Sequence, residues 1–186
     1  MILITAFEPF GGEIINTSAE VLFRLPDRIG GEPTEKLLLP VVFGKAAETV
    51  LRQTADRIFL MGEAGGRTVV TPETKAKNFR DARIPDNEGN QPRGEVILAD
   101  GPACYTTRLP VKKAVERMKD QGYAISVSED AGSYVCNDTF YIVGLRTSVP
   151  VGFIHVPHQP ENANLLAQTV LHFMEMIVTG KVQEDL

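Results

Sequence analysis

Val151-Gly152-Phe153-Ile154-His155-Val156 is a short, continuous apolar run, and the chain beyond it switches to another period. Apolar residues then recur at Ala163, Leu166, Ala167, Val170, Met174 and Ile177, and the pattern stops at Gly180. A run without polar alternation suits a strand covered on both faces, and the repeat after it suits an amphipathic helix. The same alternation extends toward the N-terminus. Ile2–Phe7 and residues 36–42, 57–61 and 123–128 are further strand candidates. Phe43, Ala46, Ala47 and Val50 repeat at i, i+3, i+4 and i+7. Val111, Ala114, Val115 and Met118 do the same, with Pro110 near the helix start and Gly122 just past its end. Strand–helix alternation of this kind predicts an α/β fold, a mostly parallel sheet sandwiched by helices.

The 186 residues fit one domain, spanning 1–186, that can bury a continuous core without staples. No apolar run approaches the roughly 20 residues of a membrane span, so a membrane is not expected as a partner. The opening Ile2-Leu3-Ile4 lacks a basic flank and a small-residue cleavage site, and reads as a first strand rather than a signal peptide. A net charge of −5 without a Lys/Arg cluster gives no footprint for nucleic acid. The two cysteines, Cys104 and Cys136, are expected as free thiols in a reducing cytoplasm. With three histidines and no Cys-x-x-Cys or His-x-x-x-His spacing, neither a metal nor another cofactor is expected. Residues 80–94, rich in Pro, Asn and Asp, are too polar for an element interior and predict a long ordered loop over a site.

Three residues could together make an activated nucleophile: Cys136, His155 and Glu73. A thiol attacks, an imidazole takes its proton, and a carboxylate orients the imidazole; the three meet in the fold rather than along the chain. Cys136 follows Asp130-Ala131-Gly132-Ser133, a turn-and-cap sequence, and precedes Phe140, Val143 and Gly144 at helical spacing. It is therefore placed in the first turn of a helix at the carboxyl end of a strand, where unpaired amides and the helix dipole favour a thiolate. His155 ends its strand. Glu73 follows Pro72 in a segment that could enter a short helix. Cys104 reads as a buried structural cysteine, and His158 and His172 as partly exposed structural residues. The glycine-bearing segment 62–67 permits close backbone approach to a ligand but fits neither a phosphate loop nor a dinucleotide fingerprint.

Five longer motifs run in order through the chain. They are Phe7-Glu8-Pro9-Phe10-Gly11-Gly12, Ala64-Gly65-Gly66-Arg67, Asp81-Ala82-Arg83-Ile84-Pro85-Asp86-Asn87, Tyr134-Val135-Cys136-Asn137 and Phe153-Ile154-His155-Val156-Pro157. In these the chain resembles the type I pyroglutamyl peptidases, also called pyrrolidone-carboxylate peptidases. The resemblance implies a three-layer α/β/α sandwich, a homotetramer, and hydrolytic removal of N-terminal 5-oxoproline from peptides through a thioester. Carried over by motif, Cys136 is the nucleophile, His155 the base and Glu73 the orienting acid. Phe7 and Phe10 match the aromatic residues that hold the lactam ring, and Asn16 falls where a pocket-lining Asn is expected. Arg83 and the backbone N–H of Cys136 are the oxyanion candidates.

The family pattern has Gln at the position of Glu63 and Pro at that of Thr17. An amide donates and accepts, whereas a carboxylate only accepts. Glu63 could take a lactam N–H but would repel a carbonyl, so activity is expected with altered affinity or pH optimum. Two other readings stay open: an amidase of the same fold with changed N-acyl specificity, and a non-catalytic ligand-binding homologue.

Overall fold

The computed structural model describes residues 1–182. Its central sheet has six strands in the order β2-β3-β1-β4-β8-β5. These are β1 (Ile2–Phe7), β2 (Arg28–Ile29), β3 (Glu32–Leu39), β4 (Arg57–Glu63), β5 (Thr71–Glu73) and β8 (Val151–Val156). The pairs β1–β3, β1–β4 and β4–β8 are parallel, and the short outer strands β2 and β5 pair antiparallel. A separate antiparallel pair joins β6 (Lys75–Lys77) to β7 (Cys104–Thr106).

Strand β1 shows why a continuous apolar run makes a middle layer. Its alternate side chains point to opposite faces. Ile2, Ile4 and Ala6 join one core with Leu22, Val115 and Val170, while Leu3 and Phe7 join the other with Ala47, Val50 and Phe140. Helices α1 (Thr17–Arg24), α3 (Val111–Asp120) and α5 (Ala163–Val178) cover the first face, and α2 (Lys45–Leu51) and α4 (Val135–Arg146) the second. This is the expected α/β/α sandwich. From β1 the chain crosses through α1 to β3 on one side, then through α2 to β4 on the other. The connection therefore reverses at β1, and the carboxyl ends of β1 and β4 flank the kind of crevice where open α/β sheets bind ligands.

Four local expectations need correction. Residues 123–128 form no strand; they make only the isolated bridges Val70–Ile125 and Glu73–Ser128. Ser126 N–H donates to Val70 O, Ser128 N–H to Pro72 O and Thr74 N–H to Ser128 O. The missing rung belongs to Pro72, which has no N–H to donate, so the ladder cannot close. Glu73 lies in β5 rather than a short helix, because the segment pairs with the edge of β8. The strand expected over 36–42 runs from Glu32 to Leu39, stopping at Pro40. Cys104 is exposed on β7, not buried.

Helix α1 arises where no element was expected. Asn16 caps it, its side chain accepting from Ser18 N. The loop over 80–94 is ordered around buried Asp86, which accepts from the amides of Phe43, Glu88 and Asn90. Asn87 ties it to Val41 O and Pro9 O, and Tyr134 Oη donates to Pro85 O.

Candidate active site

Three strand ends and one helix start surround a cavity of about 330 Å³. Phe7 closes β1, Glu63 closes β4, His155 stands one residue from the end of β8, and Cys136 is the second residue of α4. All four line the cavity, as do Phe10, Asn16, Arg67 and Tyr134. Gly62 is the reason the thiol fits. It pairs in register with His155, and a Cβ built there would lie 2.5 Å from Cys136 Sγ and 3.0 Å from Phe153 Cζ.

Glu73 and His155 meet across the β5–β8 pair. Thr71 stands opposite His155 and Glu73 opposite Phe153, so Glu73 and His155 are diagonal neighbours on one face. His155 Nδ1 and Glu73 Oε1 are 2.8 Å apart. A carboxylate only accepts, so Nδ1 carries the proton and Nε2 is left as the basic nitrogen. Glu73 is fully buried, and its second oxygen has no hydrogen-bond partner.

An arginine unassigned by the sequence reading completes this corner. Arg67 Nη2 donates to Glu73 Oε1 at 3.1 Å, to Ser128 Oγ at 3.1 Å and to Asp130 O at 2.9 Å. A buried carboxylate needs such a partner, and the Gly65-Gly66 turn brings it. Arg83 is placed differently. It is exposed on the 80–94 loop and is not among the residues lining the cavity.

Burial pushes the Cys136 thiol up to about 12, with Glu73 and Glu63 adding to the shift. Burial and the two carboxylates act against the helix start, whose unpaired amides favour a thiolate. Cys136 lines the cavity, and its first-turn amide has no acceptor within the helix and is a candidate oxyanion donor. Asn137 fastens this turn to the neighbouring segment, accepting from Lys77 N and donating to Lys77 O and Phe79 O.

Glu63 faces the cavity from the other side. Thr17 N–H donates to its Oε2 at 2.6 Å, and His158 Nδ1 lies 2.9 Å from Oε1. His158 is partly exposed, as expected, and its contact is with Glu63, whereas His172 stacks on Tyr123 with centroids 4.7 Å apart. Asn16 is turned inward, its Nδ2 donating to Glu8 O. Among the described residues no cluster of His, Cys, Asp and Glu could hold a metal ion, and no helix is long and apolar enough to cross a membrane.

Known proteins match most of this chain in sequence and in fold. A pyrrolidone-carboxylate peptidase of Staphylococcus saprophyticus is 47% identical, over 86% of this chain and 79% of its own. The crystal structure of pyroglutamyl peptidase I from Bacillus amyloliquefaciens matches with a TM-score of 0.87 at 38% identity, covering 95% of each chain. That of pyrrolidone carboxyl peptidase from Thermus thermophilus matches with a TM-score of 0.87 at 35% identity, covering 94% of this chain and 99% of that one. The sequence profile of the pyroglutamyl peptidase family, a peptidase family, matches residues 1–182, and this chain belongs to it.

Proposed function

We propose that the chain is a cysteine exopeptidase that removes N-terminal pyroglutamate from peptides, with Cys136 as nucleophile, His155 as base and Glu73 as orienting acid. The observation that carries this reading is the buried 2.8 Å contact between His155 Nδ1 and Glu73 Oε1, on the wall of the cavity that also holds Cys136. His155 Nε2 takes the Sγ proton as sulfur attacks the pyroglutamyl carbonyl. The tetrahedral oxyanion meets the backbone N–H of Cys136; Arg83 would have to move inward to join it. Collapse breaks the C–N bond, and the imidazolium protonates the leaving amine. Water, activated by His155, then hydrolyses the thioester. Phe7 and Phe10 offer apolar area to the flat ring, while Asn16 and Glu63 form the polar wall beside it.

The test is release of aminomethylcoumarin from its pyroglutamyl amide by the wild type and by Cys136→Ala. Turnover by the wild type alone is expected; turnover by both would move the nucleophile elsewhere, and silence from both would overturn the substrate.

The same reading has the chain as one catalytic domain, cytoplasmic and assembled as a homotetramer. Two free cysteines, one of them exposed, suit a reducing compartment. Exposed Phe23 and Leu165 flank the Arg24–Asn164 hydrogen bond between α1 and α5, an apolar surface suited to a second copy. Light scattering across protein concentrations checks the tetramer, and a monomer throughout would overturn it.

A further inference from the structure

Glu63 puts an acceptor on the cavity wall, and Arg67, the cation among the lining residues, is engaged by Glu73, Ser128 and Asp130. The Glu63 side chain is only 7% exposed, held by Thr17 N–H and His158. Thr17 is the first residue of α1, where an N–H has no acceptor within the helix; Glu63 takes it up. Two of the roughly four lone-pair positions of the carboxylate are therefore filled and two remain for a ligand. The amide of Asn16 is already turned onto Glu8 O, and its Oδ1 accepts from Ser18 N and Oγ. Phe7 and Phe10 add only apolar area.

A pyroglutamyl and an N-terminal prolyl residue carry the same five-membered ring and differ at two atoms. Pyroglutamate has a neutral ring N–H and a carbonyl at the next carbon; proline has a cationic NH₂⁺ and a CH₂. A site built to hydrogen-bond that carbonyl rejects the analogue lacking it by roughly 10⁴–10⁵. The Glu63 carboxylate cannot make that bond. It can accept from either ring nitrogen, and charge assistance makes the cation the stronger donor.

We propose that Glu63 opens this site to a second substrate class, peptides with an unmodified N-terminal proline, cleaved by the same Cys136. The inference rests on the acyl-transfer reading above. The chemistry is unchanged and balances in the same way: the Sγ proton passes to His155, S–C forms, C–N breaks, and the proton leaves on the departing amine. Water then cleaves the prolyl thioester to free proline.

His158 sets how strongly the cation is drawn. The hydrogen bond and charge of Glu63, with Glu13 and Glu161 also facing it, hold its pKa above the ordinary value. Protonated His158 neutralises Glu63 and competes with the prolyl ring; neutral His158 leaves the carboxylate to the substrate.

The experiment measures kcat/KM for prolyl and pyroglutamyl aminomethylcoumarin side by side, with Cys136→Ala as background. Wild-type turnover of both is expected. Glu63→Gln should lower the prolyl-to-pyroglutamyl ratio by about tenfold to a hundredfold, the loss of one charged hydrogen bond. His158→Gln should raise that ratio near pH 6, where the competing cation is otherwise present. Pyroglutamyl turnover in each variant shows that the protein is folded. Pyroglutamyl turnover without prolyl turnover above background, or a ratio untouched by Glu63→Gln, overturns the inference alone. Silence on both substrates overturns the acyl-transfer reading and this inference with it.

Discussion

Two His–Glu pairs sit within a few residues of each other at the end of β8, with similar separations: 2.8 Å for His155–Glu73 and 2.9 Å for His158–Glu63. Their surroundings differ. In the first pair the side chains are 5% and 0% exposed; in the second, 43% and 7%. The inner pair lies where dielectric screening is weak and adds Arg67 to its carboxylate. The outer histidine is open to water. The same two side chains thus suit different tasks: the buried pair fixes a tautomer beside a thiol, and the half-exposed pair tunes the charge of a pocket wall. In the proposed mechanism, burial more than contact distance separates the orienting pair from the modulating one.

The sharpest way to break that comparison is to make the same substitution in both carboxylates. Glu73→Gln should lower kcat for the pyroglutamyl substrate by roughly 10³–10⁴, the scale for an orienting carboxylate replaced by its amide. Glu63→Gln should act mainly on KM and leave kcat within about tenfold, as expected for a group contributing binding rather than chemistry. Steady-state kinetics on the two variants decides; equal losses in kcat would erase the distinction. Next in size is Gly62→Ala, in the strand position between the pairs. The new Cβ would meet Cys136 Sγ at 2.5 Å. Misplacing the nucleophile by about an ångström should cost kcat/KM roughly a hundredfold. Overpacking should also lower stability by about 1–3 kcal/mol, measured by denaturant unfolding. Unchanged turnover would mean that the thiol position matters less than the geometry implies.

The members of the inner pair were named through the family resemblance, Glu73 by nothing in its own spacing, and the outer pair was not named at all. The apolar runs of β1, β4 and β8 announce themselves because both faces of the sheet are covered, and they carry Phe7 and His155 to one edge. Cys136 was readable from its turn-and-cap lead-in. Glu73 was named as a residue but not as a strand residue: its short segment gains strand geometry only by pairing with β8, a contact made across 82 positions of chain. The contact of His158 with Glu63 spans 95 positions and has no local signature. Arg67 lay in a segment read for its glycines, and its task depends on where Glu73, Ser128 and Asp130 converge. Residues 123–128 show the reverse failure. Their composition is that of a strand, but the neighbour that should complete the ladder is Pro72.

A milder probe of the inner pair is Arg67→Gln. Removing the cation leaves Glu73 buried with His155 as its remaining hydrogen-bond partner and should destabilise the fold by about 2 kcal/mol, the loss of a charged hydrogen bond. Turnover should fall far less than in Glu73→Gln, because the orienting contact itself remains. Urea unfolding midpoints and kcat, measured on the same preparations, test both statements; a kcat loss as large as that of Glu73→Gln would make Arg67 part of the orienting device.

The smallest effect belongs to His158→Gln, and its sign is fixed by linkage. The folded-state pKa of His158 lies above the ordinary 6.5, chiefly because Glu63 accepts from it. The stability from this pair is therefore fully present below the unfolded value and is lost as pH rises through the folded one. Wild type should melt slightly above His158→Gln in mildly acidic buffer, with the gap closing toward alkaline pH. Solvent screening keeps that gap small for so exposed an imidazole. His155→Gln provides the contrast, since a buried imidazole hydrogen-bonded to Glu73 contributes to the fold even when neutral. Thermal melts of the three proteins across pH should show the outer gap closing while an inner gap persists. If both gaps close together, solvent access does not separate the two pairs.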